Sequence, residues 1–258
     1  MSAADSISTA IRTAKSKGVP AIVAYITAGF PKREGFRELL AQVASAADVV
    51  EVGVPFTDPM ADGTTIQRSS RVALDQGVSL KWILNELRMY REAAKTQTPI
   101  LLMSYLNPLL AFGIDKLPSE AERAGVSGFI VPDLPLEESD SLHNALASRG
   151  IALVQFVTPV TPVERMRVLA DSSRGFLYAV TMTGTTGKNV AVPPEVLEYF
   201  SRAKSISPVP ICAGFGIRSA EQVRKLAPHV DGVIVGSALV EVIERGEDPA
   251  VFLSSLRE

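Results

Sequence analysis

The sequence predicts an α/β protein, a single (β/α)8 barrel of the TIM type over residues 1–258. Three observations predict it. Eight short runs rich in Val, Ile and Leu recur along the chain, each separated from the next by a longer amphipathic segment. Most of these runs are apolar without alternation, as expected for parallel strands covered on both faces. No linker or low-complexity tract divides the chain, and about 250 residues is the usual size of one such barrel. A doubly wound open sheet is the alternative, but it usually has fewer strands.

The strands fall at Pro20–Ile26, Val49–Val54, Ile100–Ser104, Gly128–Val131, Ile151–Val157, Gly175–Val180, Val209–Ala213 and Gly232–Val235. Gly, Pro, Asp or Asn follow most of them and mark loops. The segments between read as helices. Leu80, Ile83, Leu84 and Leu87 recur at helical spacing, with Trp82 beside them as a packing residue. Ser219-Ala-Glu-Gln222 is a capping box ahead of Val223, Leu226 and Ala227. The last helical segment, Ala238–Leu256, is long and closes the chain.

Composition narrows the chemistry. The chain is 47% apolar and 21% charged, which is globular. Its net charge of −2 implies no cationic face, so nucleic acid and anionic membranes are poor partners. No apolar run reaches the ~18 residues that span a bilayer. The opening Met-Ser-Ala-Ala-Asp lacks the basic flank and apolar stretch of a signal peptide. Cys212 is the only cysteine, so no internal disulfide is expected and a cytoplasmic, reducing compartment fits. His143 lies in a helical segment and His229 follows Pro228; both read as surface residues. A zinc site would want clustered ligands and a Ser-His-Asp triad a histidine facing the pocket. No metal is expected.

In a (β/α)8 barrel the site lies at the C-terminal ends of the strands. Glu51 sits inside the second apolar run near that end, and Asp62 follows in the next loop. A charge in an apolar run is costly unless something pairs with it or uses it. Glu51 is therefore half of a buried ion pair or a catalytic group. Asp62 is a second acid of the same site or a turn residue ahead of Gly63. Asp58-Pro59 reads as a turn. Gly214-Phe215-Gly216 follows strand seven and Gly236-Ser237 follows strand eight, each near a helix start. Gly184 and Gly187 lie in the loop after strand six. Together these glycines favour a phosphate site over simple turns. No lysine stands at a strand's C-terminal end, and Lys188 is out in a loop, so a Schiff-base aldolase is disfavoured. Cleavage of a carbon–carbon bond would then need the substrate to act as electron sink. A carboxylic acid that protonates an electron-rich ring would achieve this.

The segment from Val50 to Gln67, with Glu51, Asp58-Pro59 and Asp62 inside it, resembles the tryptophan synthase alpha subunit family. The likeness runs nearly the whole chain. It extends to Tyr25-Ile26-Thr27-Ala28-Gly29, Tyr105-Leu106-Asn107-Pro108, Val131-Pro132-Asp133-Leu134-Pro135 and Thr183-Gly184-Thr185-Thr186-Gly187. It ends in Gly214-Phe215-Gly216-Ile217 and Gly236-Ser237-Ala238. The resemblance implies a lyase of tryptophan biosynthesis that cleaves indole-3-glycerol phosphate into indole and glyceraldehyde 3-phosphate. It implies Glu51 as general acid–base and Asp62 as the acid that holds the indole N–H. Tyr178, Tyr25 and Ile66 match pocket positions, and Thr186 a loop threonine that reaches the second acid on closure. Gly187, Gly216, Gly236 and Ser237 match the phosphate cradle, with Phe215 beside it. The family pairs with a beta subunit, as an α2β2 hetero-tetramer, and the beta subunit carries pyridoxal phosphate; this chain itself would need no cofactor. Asp58, Pro59, Asn107 and Pro108 match the docking face. Three residues depart from the family's usual pattern: Phe30 for aspartate, Thr64 for proline and Thr185 for valine. Competing readings are a free-standing lyase, a non-catalytic barrel that activates a partner, and another phosphate-binding isomerase or synthase of the pathway.

Overall fold

The computed structural model describes residues 2–94, 96–181, 192–214 and 216–258. Eight parallel strands close into one barrel in sequence order. They are β1 (Ala21–Thr27), β2 (Val49–Gly53), β3 (Ile100–Met103), β4 (Val126–Ile130), β5 (Ala152–Val157), β6 (Leu177–Val180), β7 (Ile211–Gly214) and β8 (Gly232–Val235). Twelve helices are described: α1 (Ala3–Ser16), α2 (Phe36–Ala46), α3 (Thr64–Asp75), α4 (Leu80–Ala93), α5 (Leu106–Phe112), α6 (Leu117–Arg123), α7 (Asp140–Ala147), α8 (Val163–Ser172), α9 (Pro194–Ile206), α10 (Ala220–Leu226), α11 (Ser237–Glu244) and α12 (Pro249–Ser255). None is long and apolar enough to cross a membrane.

The unbroken apolar runs have a simple cause: both faces of each strand are covered. Along β1, Ile22, Ala24 and Ile26 pack outward with the helices, while Ala21 and Val23 belong to the barrel interior. The inward set follows the two-residue period of a strand. Val23 pairs with Val49 across β1 and β2, and one period further Tyr25 pairs with Glu51. Glu51 thus occupies an inward layer nearer the C-terminal mouth. The other end is sealed by α1. Its Ile7, Ile11 and Ala14 join Val23, Val49, Phe176 and Cys212 in the interior cluster. The Ala4 N–H donates to the Gly150 carbonyl at 2.8 Å, Ser8 Oγ to Gly175 at 2.5 Å and Arg12 to Pro208 at 3.2 Å. These three carbonyls precede β5, β6 and β7, so α1 lies across the strand entries. A Ser2–Asp5 capping box starts it. Access to the interior is left to the opposite end.

All eight expected strands are present, with shifted bounds. β4 starts two residues early, at Val126, and β6 two residues late, at Leu177. The long closing segment is two helices. Gly246 takes a left-handed φ of 71° after α11, and Asp248 caps α12 by accepting from the Ala250 and Val251 N–H groups. The expected capping box at Ser219 is half formed. Ser219 accepts from the Gln222 N–H at 3.4 Å, but the Gln222 side chain accepts from Arg218, one residue before the cap. Trp82 packs 5.6 Å from the Phe36 ring and under the Arg33 guanidinium, a packing role as expected. His143 lies on α7, and His229 Nδ1 meets Ser201 Oγ at 2.7 Å on the surface. Phe30 is buried in the outer core, and Thr64 is the first residue of α3.

Candidate functional site

A cavity of about 470 Å³ opens at the C-terminal ends of the strands. The sequence candidates Tyr25, Glu51, Asp62, Ile66, Tyr178, Gly216, Gly236 and Ser237 all line it. Thr186, Gly187 and Phe215 lie outside the described residues.

Glu51 is 1% exposed, and both carboxyl oxygens are buried with no hydrogen-bond partner among the described residues. No described Lys or Arg forms an ion pair with it, so among the described residues nothing supports the ion-pair alternative. A buried carboxyl without donors cannot stabilise its ionised form. Burial, with the negative charge of Asp62 added, raises its pKa from 4.5 to about 8.

Asp62 is differently placed. Its side chain caps no helix: Gly63 is the N-cap of α3, without a side-chain bond. Asp62 Oδ2 instead accepts from the Tyr105 hydroxyl at 3.1 Å. That hydroxyl accepts in turn from the Ala61 N–H at 2.9 Å, and the Tyr105 ring stacks on Phe56 at 5.2 Å. Burial raises the Asp62 pKa and the Tyr105 bond opposes it, leaving about 6. The two acids are therefore displaced unequally, and Glu51 keeps its proton to higher pH than Asp62. Tyr105 was not among the sequence's site candidates. Its only signal was an aromatic hydroxyl just past a strand end, which packing explains equally well.

Small residues make room for the aromatic walls. A Cβ on Gly53 would overlap the Tyr25 phenol. One on Gly214 would come within 2.8 Å of the Tyr178 ring. Tyr178 also packs against Phe156, its register partner, at 4.9 Å. Burial holds both tyrosine pKa values well above 10.

Across the cavity, Gly236 is the N-cap of α11 and Ser237 its first residue, with no side-chain cap. The first N–H groups of a helix have no partner within it. These point to an anion, which a helix N-terminus also favours through its dipole. Gly216 lines the same cavity, with φ at 67°. A Cβ on Gly236 would meet only Tyr25 atoms, at ordinary distances from 3.7 Å.

The candidate docking residues lie on the same rim. Asp58 is exposed in the loop after β2, where Thr57 Oγ1 donates to its carboxylate at 2.5 Å. Asn107 and Pro108 belong to the first turn of α5 rather than to a loop.

The pKa displacements set a pH dependence of stability. Between about 4.5 and 8 the folded state holds a proton on Glu51 that the unfolded chain has lost. Asp62 does the same between about 3.8 and 6. Stability falls with rising pH wherever the folded state binds more protons. The Glu51 contribution is thus fully present below about 4.5 and lost as pH rises through about 8. Glu51→Gln should remove that fall, so its melting temperature relative to wild type should rise from pH 5 to pH 9. Parallel melting curves against pH would exclude a buried, unpaired Glu51.

A family model described as tryptophan synthase alpha chain matches residues 11–256. The tryptophan synthase alpha chain of Desulfovibrio desulfuricans is 43% identical over 247 residues, 95% of this chain and 96% of the relative. The crystal structure of the alpha subunit from Legionella pneumophila superposes with a TM-score of 0.88 at 34% identity, covering 100% of this chain and 97% of that one. A structure concerned with mutual activation of the tryptophan synthase α2β2 complex of Pyrococcus furiosus gives 0.84 at 34% identity, covering 92% and 98%. With its fold, its acid pair and matches over nearly its whole length, the chain belongs to the tryptophan synthase alpha chain family.

Proposed function

We propose that Glu51 is the proton donor and acceptor for the family's reaction, cleavage of indole-3-glycerol phosphate to indole and glyceraldehyde 3-phosphate. The observation that carries this is the buried, unpaired Glu51 carboxyl beside an ionised Asp62. Two carboxyls with pKa values pushed apart can act as acid and as charge stabiliser in one site. Neutral Glu51 gives its proton to the indole carbon that bears the glycerol chain, and the ring nitrogen takes up positive charge. Asp62 accepts the ring N–H and offsets that charge. The neighbouring hydroxyl then returns its proton to Glu51, the carbon–carbon bond breaks, and its electron pair restores the aromatic ring. The aldehyde and indole form, and Glu51 ends protonated as it began. Tyr25, Ile66 and Tyr178 wall the indole end of the cavity. Gly216, Gly236 and Ser237 receive the phosphate, and Gly187, Thr186 and Phe215 complete the site.

Glu51→Gln should lower kcat by about 100- to 10,000-fold, the usual range for a general acid–base. The wild-type kcat/KM should follow a bell between the Asp62 and Glu51 values, about 6 and about 8. It should rise as Asp62 ionises and fall as Glu51 loses its proton. Asp62→Asn should abolish the acidic limb. Near-normal indole release by folded Glu51→Gln would remove Glu51 from the chemistry.

The partner in this reading is a tryptophan synthase beta subunit, in an α2β2 assembly of the kind solved for Pyrococcus furiosus, with pyridoxal phosphate in that subunit. The rim supports it. Met60 (81% exposed), Leu110 (53%) and Val160 (74%) come in the segments after β2, β3 and β5, as do Asp58, Pro59, Asn107 and Pro108 after β2 and β3. Exposed apolar side chains following several strands at the same end of the barrel are compatible with a protein partner there. The lyase rate should climb to a plateau as beta subunit is added, and Asp58→Ala should weaken that response. A flat titration would favour a free-standing lyase, whereas a free cytoplasmic enzyme and a docked one share the same acid pair.

A further inference from the structure

Glu241, on α11, lies outside the cavity and outside the acid pair. Its carboxylate gathers three separate segments of the mouth. Arg218 grips it bidentately, Nη1 to Oε2 at 2.7 Å and Nη2 to Oε1 at 2.9 Å. The Thr65 hydroxyl donates to Oε1 at 3.3 Å. Arg218 lies two residues after Gly216, in the loop between β7 and α10. Thr65 lies three residues after Asp62, at the start of α3, next to the cavity residue Ile66. Glu241 itself stands one turn below Gly236 and Ser237.

We propose that Glu241 is a positioning residue that locks the phosphate cradle together and sets it against the Asp62 loop. The proposal rests on the reading of Gly216, Gly236 and Ser237 as the phosphate cradle. Such a cradle takes backbone groups from two segments of chain, and an anion is held well only if both present them together. The planar fork of an arginine fixes direction as well as distance, which a lysine would not. Arg218 and Glu241 are part exposed, at 36% and 27%, so the pair adds little to overall stability. Its effect is to hold the loop after β7 in register with α11.

The molecule carries its own control. One turn further along α11, Glu244 takes Arg68 bidentately at 2.9 and 2.6 Å. That pair joins α11 to α3 but touches no residue of the loop after β7. Both carboxylates reach α3, but of the two only Glu241 also bonds the described part of the loop after β7, through Arg218.

The test compares Glu241→Gln, Arg218→Gln and Glu244→Gln in the full chain, with inorganic phosphate as calorimetric probe and indole-3-glycerol phosphate as substrate. Glu241→Gln and Arg218→Gln should weaken phosphate and raise KM by a shared factor of about two- to tenfold, the range of a part-exposed bidentate pair. Their kcat should stay within about twofold, because the acids are not displaced. Glu244→Gln should leave phosphate affinity unchanged. The charge-swapped double variant Glu241→Arg with Arg218→Glu should regain part of the loss. Wild-type phosphate affinity in Glu241→Gln would overturn the proposal, and so would an equal loss in Glu244→Gln. If wild type cleaves substrate yet has no affinity for phosphate, the cradle reading falls first and the proposal with it.

Discussion

A carboxyl group enclosed by apolar strands, with no donor and no cation in reach, keeps its proton well above the ordinary carboxylate range. Among the described residues Glu51 is such a group, and the cost of ionising it sets it apart from the other acid of the cavity. Asp62 sits near enough to raise that cost further. Yet Asp62 stays ionised at neutral pH, because the Tyr105 hydroxyl donates to it and counters burial. One site thus presents an acid and an anion built from two side chains of nearly the same intrinsic acidity. The difference lies in burial, in the charge of Asp62 acting on Glu51, and in one hydrogen bond.

The barrel creates this contrast through its layers. The strand period places Tyr25 and Glu51 one inward step above Val23 and Val49, where the interior turns from closed core to open cavity. Helix α1 closes the far end, so the carboxyl is approached only from the mouth. Gly53 and Gly214 leave the space into which Tyr25 and Tyr178 fold, and those rings keep Glu51 dry. The same dryness that costs stability at high pH is what holds a transferable proton at neutral pH. On the proposed role of Glu51, stability and function oppose each other at this residue.

Much of this was legible in the residues. Continuous apolar runs gave away all eight strands, because parallel strands covered on both sides leave no polar face to confuse the pattern. Glu51 stood out as a charge in one of those runs, and the paired glycines after β7 and β8 as an anion site. What was not legible depends on contacts between distant segments. The isolation of Glu51 among the described residues depends on where side chains from many segments fall, so an ion pair stayed open in the sequence. Tyr105 looked like one more packing aromatic, since its hydrogen bond crosses 43 residues. Nothing in the sequence singled out Glu241, because its partners come from α3 and from the loop after β7. The closing segment read as one long helix, since its apolar pattern continues past the break at Gly246 and Pro249.

The central claim is that Glu51 holds a proton at neutral pH, and infrared spectroscopy of the carboxyl groups tests it directly. A difference spectrum between wild type and Glu51→Gln should contain a protonated-carboxyl stretch at pH 7. That band should disappear with a midpoint near the value of about 8 set by burial. A spectrum with only the ionised carboxylate bands of Glu51 at pH 7, and a midpoint near 4.5, would contradict the account.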